Sequence, residues 1–170
     1  PLLPHAWIAG DDEMGKCSHF RRDLQERGEQ YLLAVPANTT IRDLDAESDR
    51  FGQRGQALRR RFEQVQHWRD RLPESAWKKV VVRDGDKHPL QVELTTCRVL
   101  AKISRRNMPY EETLVVIRYR DESGIVQHDF YLSNAPAETP LQEFARVSKA
   151  AHRIEECIKR NKSEAGLADY

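Results

Sequence analysis

Cysteine is scarce. The three present, Cys17, Cys97 and Cys157, are odd in number and widely spaced. That excludes a disulfide framework and a zinc knuckle, and makes a reducing cytoplasm the expected setting. Long apolar runs are also missing. Val80-Val81-Val82 and Leu114-Val115-Val116-Ile117 fall far short of the roughly 20 residues a membrane helix needs, so no membrane partner is expected. The opening Pro1-Leu2-Leu3-Pro4 has neither the basic start nor the apolar core of a secretory leader. With no initiator Met and an abrupt apolar beginning, the chain reads as starting partway through a larger protein. The six histidines have no pairing at metal spacing and no glycine-rich phosphate loop is visible, which argues against zinc and nucleotide cofactors. Repeats and low-complexity tracts are absent.

Charge, by contrast, is abundant: 32% of the 170 residues are Asp, Glu, Lys or Arg, for a formal net charge of only +1. The balance is uneven. Between Arg50 and Arg106 stand 15 Lys and Arg against 6 Asp and Glu, so the rest of the chain is acidic. A basic middle between acidic arms suits a protein that holds polyanion with one part and divalent cations with another. It also suits a plain, solvated, Arg-rich surface.

The hydrophobic pattern predicts a strand over His5–Gly10, a turn at Asp11–Gly15, a helix from about Lys16 to Arg27 with Cys17, Phe20 and Leu24 on one face, and a buried strand over Tyr31–Val35. Strand, helix and strand within 35 residues form a βαβ unit, whose strands are expected to be parallel. Ala37 to Gly55 is polar and aperiodic. Phe62, Val65, Trp68 and Leu72 then have the spacing of a short amphipathic helix closed by Pro73. Strand-like runs follow at Lys79–Arg83, Leu90–Ile103, Thr113–Tyr119 and Val126–Leu132, separated by Gly and Asp turns as in an antiparallel meander. In the second run the alternation shifts phase between Leu94 and Cys97, the pattern of a bulge. Thr139, Pro140 and Gln142 give the start of a long helix, with a stripe of Leu141, Phe144, Ala145, Ser148, Ala151, Ile154 and Ile158 and a stop at Gly166.

Two places carry candidate chemistry. Asp11 and Asp12 follow a parallel strand, at the sheet edge where α/β proteins bind ligands, and hard divalent cations prefer carboxylate oxygen. Asp equally favours turns and helix starts for backbone reasons. Glu155 flanks the apolar stripe of the long helix, where a carboxylate is costly to desolvate without a cation or hydrogen bonds. With Lys159 and Lys162 it also fits an ordinary surface ladder of Glu and Lys.

The segment Ile154-Glu155-Glu156-Cys157-Ile158-Lys159-Arg160-Asn161-Lys162, followed by Gly166-Leu167, resembles the third signature of DDE transposases of bacterial insertion sequences. In that family a glutamate on a helix has a lysine seven residues later and a Gly-Leu pair soon after. The exit Tyr131-Leu132-Ser133-Asn134-Ala135-Pro136 is similar to the family too. So is the opening: Trp7-Ile8-Ala9-Gly10-Asp11, then Gly15, Phe20-Arg21, Leu24, Gly28, Tyr31 and Val35-Pro36. The resemblance spans both ends of the chain and leaves the middle less distinctive.

It implies an α/β fold. The expected architecture is an incomplete RNase H-like core, made of the βαβ unit and the long C-terminal helix over 1–36 and 133–170, with a basic, β-rich antiparallel insertion subdomain over 37–132. It also implies that Asp11, with Asp12 as alternative, is the second catalytic acid and metal ligand, and that Glu155 is the third. Mg²⁺ or Mn²⁺ at a two-metal site would serve DNA strand cleavage and transfer in the full protein. Lys162, Lys159, Arg153, Arg59, Arg60, Arg61, Arg105 and Arg106 are the implied contacts to double-stranded DNA, through phosphate rather than base edges. Trp68 and Trp77 would either stack on a frayed base or belong to the core.

Self-association of the full transposase, in the bacterial cytoplasm at the nucleoid, is expected. The pattern departs from the family at Ala151 and Ser148, where many relatives have arginine and tyrosine; Arg153 could supply the charge from elsewhere on the helix. The first catalytic aspartate belongs to an earlier strand, and nothing before Asp11 provides it, so this chain alone is expected to be inactive. Two other readings stay open. One is a noncatalytic nucleic-acid-binding remnant of a transposase, and the other an unrelated α/β protein whose acids are structural.

Overall fold

The computed structural model describes residues 6–46, 60–82, 90–103, 110–121, 123–136 and 138–164, with backbone only at 90, 153 and 155–164. Strand β1 (Ile8–Gly10) leads into two short helices, α1 (Asp12–Lys16) and α2 (Ser18–Glu26), and then β2 (Tyr31–Ala34). After β3 (Thr40–Asp43), β4 (Glu63–Gln64) and α3 (Val65–Asp70) come β5 (Lys78–Val82), β6 (Leu90–Ala101), β7 (Glu111–Arg120) and β8 (Val126–Ser133). The long helix α4 (Leu141–Glu164) follows. The eight strands form one sheet in the order β1-β2-β8-β7-β6-β3-β4, with β5 also paired to β6. The fold is therefore mixed α/β with a mostly antiparallel sheet.

β1 and β2 are parallel, as the βαβ pattern predicts, with Ile8 opposite Tyr31 and Gly10 opposite Leu33. All other pairings are antiparallel. The meander β6-β7-β8 joins the parallel pair through β2 and β8, so the hydrogen-bonded sheet runs unbroken from the opening segment into strands expected to lie in an insertion. That seam has its own fastening. Ser133 donates to the Tyr31 carbonyl at 2.6 Å, Asn134 accepts from the Tyr31 N–H at 2.9 Å, and its amide donates to the Glu29 carbonyl at 2.8 Å. The Ser-Asn pair at the end of β8 thus satisfies backbone groups at the start of β2 that would otherwise be buried without partners.

Both faces of the sheet are covered. Under α4 lie Leu32, Val80, Val82, Val92, Leu94, Val115, Ile117 and Tyr131, packed with the helix's own Phe144. On the opposite face Ile41, Val65, Trp68, Cys97, Val99, Leu114, Val116, Phe130 and Leu132 pack together, while Leu24 of α2 packs on Tyr31 and Leu33. Each fully buried aliphatic chain contributes about 1.5–3 kcal/mol.

Two-sided burial explains the phase shift in β6. The β6–β7 register is continuous from Glu93–Arg118 to Leu100–Glu111, so there is no bulge. Val92 and Leu94 face α4, whereas Cys97, Val99 and Ala101 face the other core. The alternation changes because the better-covered face changes along the strand. Other differences are local. Where a turn was expected at Asp11–Gly15 the chain forms the short helix α1 (Asp12–Lys16), and β3 lies in the segment read as aperiodic because only its Ile41 enters the core as a large apolar side chain. The stop at Gly166 lies outside the described residues.

Two glycines make contrasting close contacts. A Cβ on Gly15 would come within 1.7 Å of the Ala34 carbonyl oxygen, backbone that cannot yield. On Gly10 it would meet the Met14 sulfur at 2.6 Å and a Leu33 methyl at 2.9 Å, the movable ends of side chains. Gly15→Ala should lower stability by at least ~2 kcal/mol, and Gly10→Ala by less than half of that. Urea midpoints of the two variants check the order; equal losses would contradict it.

Candidate functional site

The parallel pair sets the position of Asp11. β1 ends at Gly10, and Asp11 then caps α1, its Oδ1 accepting from the Met14 N–H at 3.1 Å and its carbonyl accepting from the Gly15 N–H at 2.9 Å. It is exposed, and among the described residues its second carboxylate oxygen has no protein donor. Asp12 and Glu13 are exposed in the first turn, and Glu13 pairs with Lys16. Capping takes one oxygen of the exposed Asp11 carboxylate.

α4 begins beside Trp7, just ahead of β1, and packs on β5, β1, β2 and β6. Near its start Glu143 accepts from the Trp7 indole at 2.9 Å, and Phe144 meets the Trp7 ring edge-on with centroids 5.9 Å apart. Eight residues on, Ala151 and His152 line a cleft of about 280 Å³ together with Gly10, Ala34, His128 and Asp129. At a rise of 1.5 Å per residue the helix covers roughly 12 Å between those two levels, close to the roughly 10 Å that the strand needs from Trp7 to Gly10. Helix and strand therefore advance together to the carboxyl edge of the parallel pair. Position 155 follows Ala151 by one helical turn, and Asp11 follows Gly10 directly.

The side chains of Glu155, Arg153, Lys159 and Lys162, and all of Arg59, Arg105 and Arg106, lie outside the described residues. Among the described residues no group of three or more His, Cys, Asp or Glu is arranged to hold a metal. Arg61 is exposed and Arg60 half-buried. Several other cations of the basic middle are matched locally: Arg69 with Asp70, Arg71 with Glu63, and Arg98 with Asp45 and Glu111. Trp68 belongs to the core, donating to Asp43 at 2.7 Å, and Trp77 is covered by the Arg118 guanidinium 4.4 Å from its ring centroid. No described helix is long and apolar enough to cross a membrane.

The most buried charges lie behind Asp11 and were not anticipated. Arg21 on α2 and Glu112 on β7 are both buried, with Nε to Oε1 at 2.8 Å and Nη2 to Oε2 at 3.4 Å. Tyr31 donates to the same Oε1 at 2.6 Å, and the remaining Nη1 of Arg21 donates to the Gly15 carbonyl. Burial pushes the Glu112 carboxyl up, opposed by Arg21 and by the Tyr31 hydroxyl. The helical spacing that places Cys17 and Leu24 on one face includes Arg21, four residues after the first and three before the second, which was the available signal. Nothing local indicates its partner 91 residues away. No protein-family model matches the chain, and no curated protein matches it.

Burial, first, and then the Glu112 charge raise the Tyr31 phenol far above its ordinary 10.0. In the unfolded chain it ionises near that value, so above pH 10 the unfolded state binds fewer protons than the folded one and stability falls as pH rises. Tyr31 should contribute a loss of about 1.4 kcal/mol per pH unit there. Tyr31→Phe should remove that share of the alkaline slope while costing about 1.5–3 kcal/mol at pH 7, where Glu112 loses a donor. Denaturant unfolding from pH 7 to 11.5 measures both; an unaltered slope in the variant would exclude the assignment.

Proposed function

We propose that the chain is part of the catalytic core of a DDE-type DNA transposase, an RNase H-like unit with a β-rich insertion, contributing Asp11 and Glu155 as two acids of the metal site. The observation that carries this reading is the shared level of the two elements. Gly10 at the end of β1 and Ala151 on α4 line one cleft, and the two acids follow them by one residue and by one helical turn. The sequence resemblance selects the same two positions. β1 also has no strand on its outer side among the described residues, leaving an edge against which a strand bearing the first acid could pair.

The donor set fits a hard divalent cation. Asp11 offers an oxygen without a protein donor, Glu155 adds carboxylate oxygen, and no sulfur is required. Mg²⁺ or Mn²⁺ bound there would supply Lewis-acid polarisation of a scissile phosphate. The protein's share is positional: α1 fixes the Asp11 backbone, and Glu155 and Lys162 both belong to α4, the lysine being the residue this reading assigns to phosphate. Arg60 and Arg61 would add sequence-independent contacts to double-stranded DNA, with Arg59, Arg105, Arg106, Lys159 and Arg153. Such binding weakens as salt rises.

The chain should bind Mn²⁺ in a 1:1 or 2:1 ratio, and Asp11→Ala or Glu155→Ala should each weaken binding at least tenfold with the far-ultraviolet spectrum unchanged. Electron paramagnetic resonance of free Mn²⁺ gives the affinities; two variants that bind like the parent would remove this reading. DNA binding that persists in both without metal would instead favour a noncatalytic remnant. The isolated chain should neither cleave nor join DNA, since it offers only two of the three acids, and turnover by pure protein would contradict that count.

A further inference from the structure

The geometry points to Arg21 as a positioning residue for Asp11, acting through the Gly15 carbonyl; this rests on the reading of Asp11 as a metal ligand. The cap of α1 is short, and its order depends on few contacts. Asp11 is tied to the helix by the Met14 N–H on its Oδ1 and the Gly15 N–H on its carbonyl. Gly15 is in turn held from two directions, its Cα against the Ala34 carbonyl of β2 and its own carbonyl on Nη1 of Arg21. The guanidinium cannot swing, because Nε and Nη2 are committed to Glu112 in a fork closed off from water.

A chain of contacts thus runs from β7 through Glu112, Arg21 and Gly15 to the backbone of Asp11. Glu112 itself is unsuited to hold a metal, since Arg21 and Tyr31 already occupy its oxygens. A planar guanidinium suits this arrangement because one side of it can grip a carboxylate while a third N–H reaches elsewhere; an ammonium has no such fixed fork. Outer groups that orient a ligand without touching the metal typically alter affinity by about 10- to 100-fold.

The test separates positioning from mere support of the fold. Mn²⁺ affinity is measured by electron paramagnetic resonance, and stability by urea unfolding, on four proteins: the parent chain, Arg21→Lys, Tyr31→Phe, and the triple variant Arg21→Met, Glu112→Leu, Tyr31→Phe. The triple variant replaces the buried polar cluster with apolar groups of similar size, a change that commonly preserves stability, yet leaves the Gly15 carbonyl without its donor. Arg21→Lys and the triple variant should each bind Mn²⁺ about tenfold more weakly, whereas Tyr31→Phe should stay within twofold of the parent despite its lower urea midpoint. If Arg21→Lys does not fold, the triple variant decides. Parent-like Mn²⁺ affinity in the folded triple variant overturns the positioning role while leaving Asp11 as a ligand. Parent-like affinity in Asp11→Ala instead removes the functional reading, and the positioning role falls with it.

Discussion

The seam between β2 and β8 constrains everything around it. On one side is a parallel strand pair connected by helices, and on the other an antiparallel meander. They share one sheet only because Leu32, Leu33 and Ala34 pair with Ser133, Leu132 and Tyr131. Ser133 and Asn134 close the seam by taking over backbone groups of Tyr31 and Glu29. Since β8 runs opposite to β2, it delivers the chain to the amino end of the parallel pair, where α4 starts beside Trp7. A helix starting there and running along β1 has one direction available, toward the carboxyl edge. The cleft that Gly10 and Ala151 share at that edge is thus a consequence of strand register and helix rise. A slip of one residue at this seam would turn Leu32 and Leu33 to the wrong faces and misplace the start of α4.

Continuity of the sheet also changes how the basic middle is understood. Strands β6 to β8 form the interior of the molecule, with Leu114, Val115, Val116 and Leu132 fully buried. Much of the charge on these strands is matched nearby, as in Arg118 with Glu74 and Glu93 or Arg98 with Asp45. Exposed pairs of this kind contribute little to stability. They do reduce the positive field that the count of arginines implies, for which composition alone is a poor guide.

How far the sequence could be read depended on how local each determinant is. The βαβ unit was legible because strand, helix start and second strand lie within one short stretch, and α4 because Pro140 and an apolar stripe mark it. β3 was not, since one buried residue, Ile41, sets no period. β6 was misjudged at its phase shift because alternation assumes one buried face, whereas this strand lies between two cores. Asp11 was legible as a turn or helix-start residue, and the structure shows it capping α1. Arg21 and Glu112 were invisible as a pair. Each belongs to a residue type found mostly at the surface, and only the fold brings them together.

That pair shows how the chain distributes its carboxylates. A buried Glu112 deprived of Arg21 would be an uncompensated charge in an apolar interior, a loss of about 3–5 kcal/mol, so its oxygens are needed where they are. Asp11 has the opposite environment: one oxygen satisfied by a helix cap, the other in water at the end of a strand, with a backbone held through Gly15. Metal ligation needs an acceptor whose own hydrogen bonds do not compete with the ion and whose position is set before the ion arrives. Glu112 meets the second condition and fails the first; Asp12 and Glu13, exposed in the first turn of α1, lack the cap that fixes Asp11. Under the proposed reading, Asp11 is by this criterion the acid of the opening segment suited to an ion, and the buried pair behind it holds the Gly15 carbonyl.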